Sequence, residues 1–177
     1  MVMKLIRSWP SHPPEGRARV DDSIERLVND NYDYRVLGDV GDDVLLLEWD
    51  IAVGRDELVR FAKRAQENPD RVLVAPYPIY RSTIGLHDIG KPVWPMRRYS
   101  TDEQSMRFVQ PSDTHCHMFA LGMTYLPAAI VKRFLADCDG HFSDVSFSGW
   151  HYRNVEREVS IAWDCAAVHL NYKIPEF

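Results

Sequence analysis

The run Asp43-Val44-Leu45-Leu46-Leu47-Glu48-Trp49-Asp50-Ile51-Ala52-Val53 constrains this chain more than any other stretch. Its apolar start, Val44 to Leu47, reads as a strand buried on both faces, the pattern of a sheet covered by helices on either side. Such a strand has no packing reason to deliver Glu48 and Asp50 at its carboxyl end and then turn apolar again. In open α/β sheets ligands bind in the crevice outside the carboxyl ends of the strands, so the two acids predict a site there. Alternate carboxylates on an extended segment suit oxygen coordination, and the partner they predict is a hard divalent cation.

The neighbouring segments supply layers around that strand. Val2 to Arg7 alternates apolar and basic residues and predicts a first strand, followed by a Pro-rich loop from Ser8 to Gly16. Asp21 or Asp22 caps a predicted helix over Ser23 to Asn29, with Ile24, Leu27 and Val28 at helical spacing. Tyr34 to Leu37 is a second strand candidate, Gly38 to Asp42 a turn, and Val44 to Glu48 the central strand. Arg55 to Glu67 carries Leu58, Phe61, Ala62 and Ala65 on one helical stripe and stops before Asn68-Pro69; Arg71 to Ala75 is the strand after it. The alternation predicts one α/β domain over residues 1–177, a mostly parallel Rossmann-like sheet flanked by helices.

From Pro76 to Ser112 the pattern dissolves. Pro76, Pro78, Gly85, Gly90, Pro92, Pro95 and Pro111 punctuate a segment that also holds Tyr77, Tyr80, Trp94 and Tyr99, predicting a binding loop or lid over 76–112. Order returns with Met118 to Thr124, interrupted by Gly122, and with a helix over Ala128 to Ala136 opened by Pro127. Ser143 to Tyr152 is mixed and suits a short helix, and Val159 to Ala167 leads into Val168 to Tyr172.

Composition narrows the function classes. A chain of 177 residues, 45% hydrophobic, can bury a core. Its apolar runs are too short to span a bilayer and Met1 to Arg7 lacks the apolar centre of a signal peptide, so the expectation is a cytoplasmic protein with no membrane span. Cys116, Cys138 and Cys165 are odd in number and widely spaced, which predicts free thiols. A net charge of -5 gives no general attraction to nucleic acid; Arg97-Arg98, Arg107 and Lys132-Arg133 could form a local basic patch but read first as solvated surface charge. Asp113-Thr114-His115-Cys116-His117 gathers metal-binding residue types and could make a zinc site with Cys138 and His141. It lacks a Cys-x-x-Cys pair, however, and reads instead as a loop with one or two residues near the active site.

The strand end Leu47-Glu48-Trp49-Asp50, followed by an amphipathic helix, resembles the acidic DXD-type motif of GT-A glycosyltransferases, with Glu48 in place of the first Asp. The downstream order is similar too: a short apolar segment with Gly122 before a helix, an acid at Asp144, and a late His at His169. The resemblance covers most of the chain, on short motifs, and the acidic motif arrives early, by position 50. It implies a GT-A-like fold, a nucleotide-sugar donor with UDP-sugars first among the candidates, and Mn²⁺ or Mg²⁺ bridging the donor diphosphate. Asp50 and His169 would be the metal ligands, and Asp144 the base that meets the acceptor hydroxyl. Glu48 would face the nucleotide ribose or a water around the ion instead of the ion itself. Trp49 reads as core or donor-pocket wall, and Trp9 with His12 stands where a base would stack, an ordinary packed Trp being the other reading.

The activity so implied is transfer of a sugar to a hydroxyl on a glycan, lipid or small molecule. The ion would stabilise charge on the departing diphosphate, and an imidazole ligand tilts the preference toward Mn²⁺. Two other readings stand beside it. One is glycosylation of a hydroxylated base in DNA, suggested by the aromatic residues and arginines between Pro76 and Arg107. The other is a non-catalytic α/β module that binds a nucleotide or glycan through the same pocket.

Overall fold

A computed structural model describes residues 3–10, 25–29, 33–80, 92–101 and 104–169. The first elements are β1 (Met3–Pro10), β2 (Glu25–Asn29), α1 (Leu37–Val40), β3 (Asp43–Leu47), β4 (Ile51–Ala52), α2 (Arg55–Glu67) and β5 (Leu73–Val74). The middle of the chain gives β6 (Ile79–Tyr80), β7 (Pro92–Val93), β8 (Met96–Ser100), β9 (Ser105–Phe108), β10 (His115–Cys116) and β11 (Met118–Phe119). After these come β12 (Met123–Leu126), α3 (Ala128–Asp137), α4 (Asp144–Asn154), β13 (Val159–Ile161), a 3-10 turn at Trp163–Cys165, and β14 (Val168–His169).

The architecture is α/β around one mixed seven-stranded sheet, in the order β10-β13-β5-β12-β3-β1-β2. β1 pairs in parallel with both β2 and β3, and β13 in parallel with β5, while β12 runs antiparallel between β3 and β5 and β10 antiparallel at the edge. Five strands therefore share one direction. β3 is covered on both faces: Val44 and Leu46 enter one hydrophobic core, with Phe134, Phe142, Phe147 and Trp150, and Leu45 and Leu47 enter the other, with Phe61 and Ala65 of α2. That two-sided burial is the reason its sequence is continuously apolar instead of alternating. Among the described residues no helix is long and apolar enough to cross a membrane.

Three expectations are corrected. The helix expected over Ser23 to Asn29 is, at Glu25–Asn29, the strand β2, paired with β1 from Ile6↔Glu25 to Pro10↔Asn29. A stretch of seven residues satisfies either period, and the open edge of β1 supplies a ladder that a lone short helix lacks. The strand expected at Tyr34 to Leu37 is instead a turn leading into α1: Tyr34 donates its backbone N–H to the Phe142 carbonyl (3.0 Å), and Gly41, at φ 75°, ends α1 in the left-handed conformation that glycine tolerates. The stretch 76–112 is also more regular than its prolines suggest. It contributes β6 and β7, an antiparallel pair, and β8 and β9, which join β11 in a three-stranded sheet.

The β8–β9 hairpin also reassigns two arginines. Asp113, buried behind it, accepts from both terminal nitrogens of Arg107 (2.7 and 2.8 Å) and from the Gln110 backbone N–H (2.8 Å), and lies 3.4 Å from Arg98. The Arg107 hydrogen bonds are the main reason its carboxyl is held down at about 2. These side chains tie a hairpin to the loop before β10 and are not the solvated surface charges their sequence suggests.

Phe134 is the hub of the larger core, with ring centroids 4.6 Å from Phe142, 5.3 Å from Phe147 and 5.3 Å from Trp150. Phe134→Ala is expected to lower unfolding free energy by roughly 3–5 kcal/mol in urea titration. A loss below about 1 kcal/mol would mean the aromatic cluster is not the organising core.

Candidate functional site

β3 ends at Leu47, and the chain then turns sharply. The Ile51 N–H donates to the Glu48 carbonyl (3.0 Å), closing a turn over 48–51, while the Glu48 N–H donates to the Gly122 carbonyl (2.8 Å). The two acids therefore do not alternate along an extended segment, as their spacing suggests, but diverge from a turn. Arg7 holds that turn: from the position opposite Leu47 in the β1–β3 register, one terminal nitrogen donates to the carbonyls of Trp49 (3.1 Å) and Ile51 (2.7 Å). Burial lowers the pKa of its guanidinium and the nearby Asp50 charge opposes that shift. Sequence reasoning missed Arg7, whose alternation in a strand gives no hint of a partner far along the chain.

Asp50 faces the end of the described chain. β4 pairs with β14 in a two-residue antiparallel ladder, Ile51↔His169 and Ala52↔Val168, which brings His169 Nε2 to 3.3 Å from Asp50 Oδ2. The His169 ring stacks on Tyr77 at 5.9 Å with an interplanar angle of 12°. The Tyr77 ring in turn fills the space where a side chain on residue 122 would begin, so Gly122 is required by close approach. Asp50 and His169, joined in sequence only by the resemblance, are thus neighbours.

Glu48 meets Tyr34 and the start of α4. Its Oε1 accepts a hydrogen bond from the Tyr34 hydroxyl at 2.5 Å, and Tyr34, Glu48, Ser143, Asp144 and Val145 line a cleft of about 300 Å³. Asp144 reaches this cleft because α4 starts there: Ser143 caps the helix through a reciprocal pair with Ser146 (2.8 and 3.4 Å), leaving Asp144 in the first turn, where a carboxylate suits the helix dipole. Asp144 Oδ1 also accepts the Leu121 N–H at 3.2 Å. Tyr34 was missed in the sequence for the same reason as Arg7.

The Asp50 charge adds to burial in raising the proton affinity of both Glu48 and Asp144, and the Asp144 charge acts on Glu48 as well. Burial and then the Asp144 charge push Glu48 up to about 8, against the Tyr34 hydrogen bond, which lowers it. Burial and the Asp50 charge push Asp144 up to about 6, against the Leu121 hydrogen bond. Burial and the charges of Glu48 and Asp144 likewise raise the hydroxyls of Tyr34 and Tyr77. Titratable groups displaced by burial and by each other in a cleft make it the candidate functional site.

The remaining candidates fall as follows. Trp49 is buried and contributes its carbonyl to Arg7. Trp9 lies in β1 opposite Val28, its side chain falling outside the described residues, as does all of His12. The His115, Cys116 and His117 side chains disperse. Cys116 is in the core, His115 Nδ1 lies against the Thr114 hydroxyl, His117 Nδ1 accepts the Tyr99 N–H, and His141 pairs with Asp33. Among the described residues no three His, Cys, Asp or Glu side chains form a group able to hold an ion alone. Asp50 and His169 bring one carboxylate and one imidazole into direct contact, a mixed oxygen and nitrogen donor pair whose chemistry suits a transition ion better than Mg²⁺.

No protein-family model matches the chain, and no curated protein sequence matches it. Among solved structures it is similar to the crystal structure of A197 from STIV, at 15% identity and a TM-score of 0.52, covering 98% of this chain and 97% of that one. At that identity the likeness is one of fold.

The raised Glu48 carboxyl binds its proton more tightly folded than unfolded, so stability falls as pH rises from about 4.5 toward about 8. Glu48→Gln keeps an acceptor for Tyr34 and removes the charge. Its advantage over wild type is expected to grow across that window, reaching on the order of 1 kcal/mol or more at the alkaline end, read by thermal melts at several pH values. Parallel melting curves would contradict the acid cluster.

Proposed function

We propose that the chain is a metal-dependent glycosyltransferase of the GT-A type that moves a sugar from a nucleotide-sugar, UDP-sugars first, to an acceptor hydroxyl. The observation that carries this reading is the Asp50–His169 pair beside Glu48 and Asp144, all at the carboxyl end of the central strand. Asp50 and His169 would hold Mn²⁺ or Mg²⁺, which when bound supplies Lewis-acid stabilisation of the leaving diphosphate.

The chain's own residues account for the rest. Arg7 fixes the turn so that Asp50 keeps its bearing on His169, and Tyr77 limits the imidazole's rotation by stacking on it. Tyr34 holds Glu48 at the cleft wall, where it meets donor hydroxyls or water. Asp144, at the meeting of cleft and helix, accepts the proton of the attacking hydroxyl. A reduced, cytoplasmic setting suits the free Cys116, Cys138 and Cys165. The DNA-base reading loses support, since Arg98 and Arg107 are engaged by Asp113. The non-catalytic reading uses the same pocket and differs only in turnover.

Purified protein is expected to bind UDP in a Mn²⁺-dependent manner and to hydrolyse a UDP-sugar slowly without acceptor. Asp50→Ala and His169→Ala should each weaken that binding about tenfold or more by calorimetry with melting curves little changed. Metal-independent binding, or none to UDP, GDP or CDP, defeats the transferase reading; binding without any hydrolysis leaves the non-catalytic module.

A further inference from the structure

A second, larger groove of about 630 Å³ adjoins the acidic cleft. Asp144 and Val145 line both, so the two open onto each other at the start of α4. Its volume is that of a small-molecule site. Of the eleven residues that line it eight are apolar, and the polar ones are Arg97, Asp144 and Ser148. Arg97 lays its guanidinium over the Phe108 ring, 4.9 Å from the centroid, and the Ser148 hydroxyl faces the Met118 sulfur at 4.0 Å.

That wall chemistry selects the ligand. A sugar carries a hydroxyl on nearly every carbon, and each one buried without a partner is penalised, so a wall of Met and Phe rejects it. The same wall suits an apolar body, since Met side chains adapt to irregular shapes and Phe rings stack. Met106 and Val145, 37% and 74% exposed, stand on the groove, and exposed apolar surface running into a pocket marks a ligand site.

We propose that this groove is the acceptor subsite, and that the acceptor is a hydroxyl carried on an apolar body, an aromatic or isoprenoid alcohol and not a free sugar. Its chemistry rests on the transferase reading above; the groove's preference for an apolar alcohol can be read without turnover. In a single displacement the acceptor O–H gives its proton to the Asp144 carboxylate and its oxygen bonds to the anomeric carbon. The bond from that carbon to the donor phosphate oxygen breaks, and the nucleoside diphosphate leaves with the electron pair.

The test is equilibrium dialysis of the whole chain with 1-naphthol, geraniol and methyl glucoside, with and without Mn²⁺ and UDP. Both alcohols are expected to bind about tenfold or more tighter than the glucoside in at least one condition. Met106→Glu, on an exposed hairpin, and Val145→Asn, on an exposed helix position, should each weaken alcohol binding about fivefold or more at unchanged melting temperature. The second variant covers the case in which the first fails to fold. Glucoside binding equal to or tighter than that of the alcohols, or alcohol binding indifferent to the folded variants, overturns the proposal. Retained alcohol binding with no Mn²⁺-dependent UDP binding supports the groove and defeats the transferase reading alone.

Discussion

The guanidinium of Arg7 sets the geometry on which the rest of the candidate site depends. By donating to the carbonyls of Trp49 and Ile51 it holds the turn that carries Glu48 and Asp50, and so fixes how two acids one residue apart meet different partners, Tyr34 for one and His169 for the other. A planar, multiply donating group is suited to bridging two carbonyls on a bent backbone, and the ammonium of Lys does not match it. Because β1 pairs with β3 in register, the clamp is delivered by the sheet itself. From that fixed turn β4 runs on to meet β14, and Glu48 is left facing Tyr34 and α4.

The arrangement works against stability in a specific way. Glu48 and Asp144 hold their charge where burial penalises it, the Asp50 charge adds to the penalty on both, and Arg7 donates to backbone carbonyls. Sites assembled for binding commonly carry such strain, offset by packing elsewhere. Here the offset lies in the aromatic core around Phe134, which packs beneath α4 and so supports the helix whose first residue is Asp144.

What the sequence made legible follows from how many residues each signal spans. β3 is a contiguous apolar run because both its faces are covered, and α2 repeats its apolar stripe over thirteen residues, so both are readable in isolation. The meeting of Asp50 with His169 was anticipated through the order of features alone. β2 was misread because its few residues fit two periods equally well, and the hairpin of β8 and β9 was hidden by the prolines around it. Arg7 and Tyr34 were invisible as site residues, since each acts through a partner distant in sequence: the Trp49 and Ile51 carbonyls for one, Glu48 for the other. The groove beside Asp144 is assembled from β6, β8, β9, β11 and α4, and no linear pattern encodes it.

Among the described residues the ladder joining β4 to β14 holds two residue pairs, and it brings His169 to Asp50 and Tyr77, whereas the seven-stranded sheet lies between two hydrophobic cores. Local opening free energies differ across a fold with such anchoring, and the imidazole is held by contacts to elements distant in sequence, the Ile51 ladder, Asp50 and Tyr77. A ligand that bridges Asp50 and His169 would tie β4 to β14, so that occupancy of the site and pairing of the two strands stabilise each other.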